Sequence, residues 1–182
     1  MDPLIIVLLI VAALVVAGLA FTMVRKRQGE RLQHKFGSEY EHQVEASGSR
    51  AKAEAELLKR EHRHKKLDIR PLPAEQREAF RDNWKDVQAR FVDDPQRAIA
   101  LADALVAEVM SARGYPVESF EQRAADISVD NPQIVENYRA AHTIAVRHGE
   151  GKADTEDLRA AMIGYRKLFE ELLGADERAL AH

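Results

Sequence analysis

The sequence predicts an all-α protein with three parts in order: an N-terminal transmembrane helix, a jointed helical stalk and a C-terminal bundle of about five helices. Three observations carry this reading. Residues 4–24 form an uncharged apolar run, a highly charged segment broken at Gly37-Ser38 and Gly48-Ser49 follows, and beyond residue 71 the apolar residues recur at helical spacing. No segment alternates apolar and polar residues with the period of two that a strand requires. The corresponding boundaries are 1–24 for the anchor, 25–70 for the stalk, 71–174 for the bundle and 175–182 for a tail that extends the last helix or frays.

As a helix, the 21 residues from Leu4 to Val24 span about 31 Å, close to the hydrocarbon thickness of a bilayer. Fourteen of them are Leu, Ile, Val or Phe, each favouring insertion by about 0.4 kcal/mol near the membrane centre. Gly18 and Ala20 are placed like a cleavage site, but no basic residue precedes the run and it is longer than a signal peptide's apolar region, so an anchor is expected. Arg25, Lys26, Arg27, Arg31 and Lys35 follow it and are the expected lipid-headgroup contacts. Their excess over the other flank predicts an inner (plasma) membrane protein with its N-terminus outside and its C-terminal domain cytoplasmic. The small-residue pairs Ala13/Ala17 and Gly18/Thr22 are compatible with a homo-oligomer.

The stalk holds 13 Lys/Arg against 8 Asp/Glu, a net of +5, and too few large apolar residues for a core of its own. Residues 71–182 hold 14 against 21, a net of −7. Ser38 and Glu41 are spaced as a capping box, and Arg50–Lys66 consists of good helix formers. The block "KREHRHKK", residues 59–66, has His62 and His64 two apart, about 200° from each other on a helix, so they cannot share a metal ion. It lacks aromatic residues that would stack on bases, so a solvated face is expected.

Arg70-Pro71-Leu72-Pro73 separates stalk from bundle. Phe80, Trp84, Val87 and Phe91 form the first apolar stripe. Asp94-Pro95 opens a second helix carrying Ile99, Ala102, Leu105, Val106 and Val109, and Gly114 ends it. A shorter piece carries Val117, Phe120, Ala124 and Ile127; Asn131-Pro132 opens a helix that ends near Gly149, and Asp154 or Thr155 opens the last one, which runs to Gly174.

Chemistry-bearing motifs are sparse. There is no cysteine, hence no disulfide or thiolate site. No Gly-rich phosphate cradle, HExxH pair or nucleophile elbow occurs, so no catalytic activity, metal or cofactor is expected. The strongest polar grouping is Tyr138, Arg139 and His142, on a helix whose apolar face also carries Val135.

The strings "FGSEY", "RFVDDP", "RGYP", "SVDNP", "NYRAAH" and "TEDLRAAMIGYRKLFEELL" together resemble a family of bacterial single-pass membrane proteins that join an anchor to a cytoplasmic helical domain. The resemblance covers nearly all of residues 32–174 and implies that architecture; it carries no activity. The expected role is a membrane-tethered helical module that recruits a cytoplasmic protein. The alternatives are an enzyme with a site between helices near His142, and weak anionic lipid or nucleic-acid binding through the stalk, which the acidic bundle opposes.

Overall fold

The computed structural model describes the backbone of residues 3–180 and the side chains of all of these except 3–7, 9 and 175–180. The described residues are all-helical: α1 (Pro3–Phe36), α2 (Ser38–Ser47), α3 (Arg50–His64), α4 (Ala74–Asp93), α5 (Pro95–Arg113), α6 (Phe120–Asp130), α7 (Pro132–Gly149) and α8 (Thr155–Leu180). They divide into two compact units, 1–57 and 58–182, with the boundary inside α3. The residues expected as one stalk over 25–70 are thus shared between both units.

Among the described residues no helix is long and apolar enough to cross a membrane. The run 4–24 expected to do so lies partly outside them, at 4–7 and 9. Within α1 the apolar side chains from Leu8 to Val24 that are described are exposed, ten of them at 51–67 %. The helix then continues through the basic residues without a break to Phe36.

The first unit has an interior that the charge-rich composition did not suggest. Leu32, Phe36, Tyr40, Ala53 and Leu57 are all 5 % exposed or less. These five apolar side chains come from three consecutive helices, with α2 packed on α1 and Glu54 of α3 brought against Gly29 of α1. The Glu54 carboxylate accepts the Tyr40 hydroxyl at 3.0 Å and lies against Gly29 of α1, where an added Cβ would come within 2.6 Å of it. The expected capping box at Ser38 does not form. Gly37, at φ 51°, is the residue preceding α2, and Ser38 already belongs to the helix.

In the second unit α8 packs along α7 and α5, α4 along α5, and α6 along α7. The stripes expected from sequence form one core that includes Trp84, Val106, Ile127 and Tyr138, and Met110 and Leu168 join it. Trp84 stacks on Phe169 with ring centroids 4.6 Å apart. Asp94 caps α5 by accepting the Arg97 N–H at 3.0 Å, and Gly114 closes it at φ 96°. Gly114 has a second reason to lack a side chain, because a Cβ there would lie 2.3 Å from the Asp68 carbonyl oxygen. At Gly164 the crossing of α7 and α8 is close enough that a Cβ would meet the Asn137 carbonyl at 2.7 Å. The last helix does not stop at Gly174 but runs on to Leu180; the expected tail, 175–182, otherwise lies outside the described side chains.

Candidate functional site

Four helices of the bundle bring five polar side chains together. Asp103 stands beside Ala102 and Val106 of the α5 stripe, so it enters the helix interface from its edge. Arg123 comes from α6, Tyr138 and His142 from one face of α7 at i, i+4, and Tyr165 from the buried stripe of α8. The Arg123 guanidinium donates to both Asp103 carboxylate oxygens at 3.0 and 3.2 Å, and its Nε donates to the Tyr138 hydroxyl at 2.8 Å. Tyr138 in turn donates to Asp103 at 3.3 Å. The ion pair is mostly shielded, with side-chain exposures of 11 % for Arg123 and 29 % for Asp103. Its two charges cancel within one hydrogen-bonded group.

An open cavity of about 350 Å³ lies beside this group. Ile99, Leu158 and Tyr165 are its buried lining, Asp103, His142 and His148 add polar groups, and Gln96, Ala100, Val146 and Gly149 are its exposed lining. The Tyr165 ring is fully buried, and its hydroxyl has no hydrogen-bond partner among the described residues. Leaving such a group unpaired costs about 1–3 kcal/mol. Burial, then the nearby Asp103 charge, push the Tyr165 phenol far up, although Asp103 does not reach hydrogen-bonding geometry with it. Burial and Asp103 push Tyr138 up as well. Both phenols stay protonated and act as donors.

His142 stacks face to face on Phe120, with ring centroids 3.6 Å apart and planes 6° from parallel. Burial lowers its pKa from the ordinary 6.5, so it is neutral at physiological pH. Neither ring nitrogen is hydrogen-bonded to a described residue.

Of the expected polar grouping, the structure therefore joins Tyr138 and His142 to the same region. Arg139 is partly exposed and is not in the cavity lining. Sequence reading missed Asp103, Arg123 and Tyr165. Asp103 had a signal, a lone charge beside an apolar stripe; Tyr165 had none, because its place in the α8 stripe is also what packing produces.

A second polar cluster joins the end of α3 to α6. Arg63 donates through two nitrogens to Asp126 at 2.7 and 3.1 Å, and Gln122 donates to the other Asp126 oxygen at 2.6 Å. His64 and Tyr115 both reach one Asp130 oxygen, at 2.8 and 2.7 Å, and Arg60 reaches Ser128 at 3.5 Å. Burial alone would raise the Asp130 pKa, but the hydrogen bonds from His64 and Tyr115 outweigh it and hold it below its ordinary value. The block 59–66, expected to be a solvated face, is so at Lys59, His62, Lys65 and Lys66, while Arg63 and His64 clasp the bundle by meeting Asp126 and Asp130 along α6. By contrast, the expected headgroup contacts Arg25, Lys26, Arg27, Arg31 and Lys35 are all exposed on α1. No group of acidic and histidine side chains among the described residues is arranged to hold a metal.

No known family, curated protein or solved structure matches the chain.

Proposed function

We propose that this chain is a membrane-tethered helical module of the inner (plasma) membrane that recruits a cytoplasmic protein partner. Residues 4–24 anchor it, the N-terminus lies outside, and the acidic bundle presents its surface to the partner. The observation that carries the reading is α1. Its described apolar side chains between Leu8 and Val24 are exposed around the helix, and the same helix continues directly into Arg25, Lys26 and Arg27. A continuous exposed apolar surface of this kind calls for a lipid or protein covering, and the basic flank favours a cytoplasmic C-terminal side. Nucleic-acid binding through the basic block is disfavoured because Arg63 and His64 are engaged by Asp126 and Asp130.

The absence of cysteine makes the test direct. Ala89→Cys, on the exposed side of α4, is probed with a membrane-impermeant maleimide in spheroplasts before and after lysis, and the membrane pellet is extracted with alkaline carbonate. Labelling only after lysis, with the chain retained in the pellet, is the expected result. Labelling of intact spheroplasts would overturn the orientation, and release by carbonate would overturn the anchor. The partner is then sought by crosslinking from the same position.

The second reading, a site between helices near His142, is favoured by the cavity that His142, Asp103 and Tyr165 line.

A further inference from the structure

We propose that the cavity between α5, α7 and α8 is a binding site for a small, uncharged molecule that carries an apolar body and one hydroxyl group. This does not depend on the membrane tether. The lining sets the first requirement: Ile99, Leu158 and Ala145 offer an apolar surface on which a hydrocarbon body is removed from water. The volume, about 350 Å³, falls at the small end of ligand pockets, which span about 300–1,000 Å³.

Charge balance sets the second requirement. Asp103 is the one carboxylate in the lining and Arg123 already neutralises it through two contacts; of the two histidines there, burial keeps His142 neutral and His148 holds its Nδ1 against the Ala153 carbonyl. A charged ligand would bring an uncompensated charge into a partly buried site. The third requirement comes from comparing the two phenols. Tyr138 is satisfied by the same Asp103–Arg123 group that leaves Tyr165 unpaired. Asp103 accepts two bonds at one oxygen and one at the other, so it retains capacity for another donor. A hydroxyl is the simplest group that donates to Asp103 and, once the side chains covering the Tyr165 hydroxyl move aside, accepts from it.

Saturation-transfer NMR on the full chain in lipid nanodiscs, with empty nanodiscs as blank, tests this with three probes of one body and different charge: cyclohexanol, cyclohexylammonium and cyclohexanecarboxylate. Cyclohexanol is expected to bind saturably, and both ions at least about tenfold more weakly. Tyr165→Phe should weaken cyclohexanol about three- to tenfold. Ala100→Trp, at an exposed position of the lining, should abolish binding while the bundle stays folded by circular dichroism. The proposal is overturned if cyclohexanol shows no saturable transfer beyond the blank, if the ammonium or carboxylate binds as well as the alcohol, or if Tyr165→Phe leaves the affinity unchanged.

Discussion

Removing Arg63 should destabilise the bundle more than removing its partner Asp126, although both changes delete the same ion pair. The asymmetry lies in exposure: the Arg63 side chain is 33 % exposed and that of Asp126 is 0 %. Arg63→Ala leaves a buried carboxylate with only the Gln122 amide, and an uncompensated buried charge costs about 3–5 kcal/mol. Asp126→Ala leaves a guanidinium that can turn toward water, so the loss is nearer that of the hydrogen bonds alone, about 1–3 kcal/mol. The double variant should lose less than the sum of the two by at least about 1 kcal/mol. Trp84, the single tryptophan and stacked on Phe169 inside the core, reports unfolding of this unit. Urea titrations of the full chain in nanodiscs, followed by its emission, give all three values on one scale. If Asp126→Ala costs as much as Arg63→Ala, or if the two losses simply add, the exposure argument is refuted.

Gly114→Ala should cost more than about 2 kcal/mol in the same assay, because it combines φ 96° with a backbone contact of 2.3 Å; an unchanged midpoint would show that the 68–70 segment moves aside freely. The two phenols should behave oppositely. Tyr138→Phe loses bonds to Arg123 and Asp103 and should cost about 1–3 kcal/mol, while Tyr165→Phe removes an unpaired buried hydroxyl and should leave stability unchanged or raised. Stability should also fall on acidification. Burial holds folded His142 below the ordinary 6.5, so just under that pH the unfolded chain binds more protons than the folded one. The contribution is complete above about pH 6.5 and declines as pH drops toward the folded value. His142→Gln should flatten that part of the pH profile, and an identical slope in both proteins would assign it to other groups.

Helix order and most ends in the bundle, though not the end expected at Gly174, were legible because each is set locally. Asp94-Pro95, Asn131-Pro132 and Gly114 act within one turn, and the structure uses each of them where expected. Local rules failed where tertiary contact decided. Ser38 satisfied the spacing of a capping box, yet Gly37 at φ 51° took the cap position. Arg63 and His64 of the basic block looked solvated because their partners, Asp126 and Asp130, lie more than sixty positions away. The cavity illustrates the same limit. Tyr138 and His142 are neighbours on α7 and could be paired from spacing, whereas Asp103, Arg123 and Tyr165 converge only through the packing of α5, α6 and α8.

The unbroken course of α1 makes it a shaft as well as a link. Gly18 and Phe36 are 18 positions apart, which at about 100° per residue is five whole turns, so they look out from the same side of the helix. Gly29 and Leu32 fall within about 40° of that line. The flank that Glu54 of α3 covers at Gly29 is therefore continuous with the flank on which Gly18 and Thr22 sit about two to three turns closer to Pro3. Any torque applied at that end swings Leu32 and Phe36 through the same angle, with no joint to absorb it, much as a key's bit follows its bow.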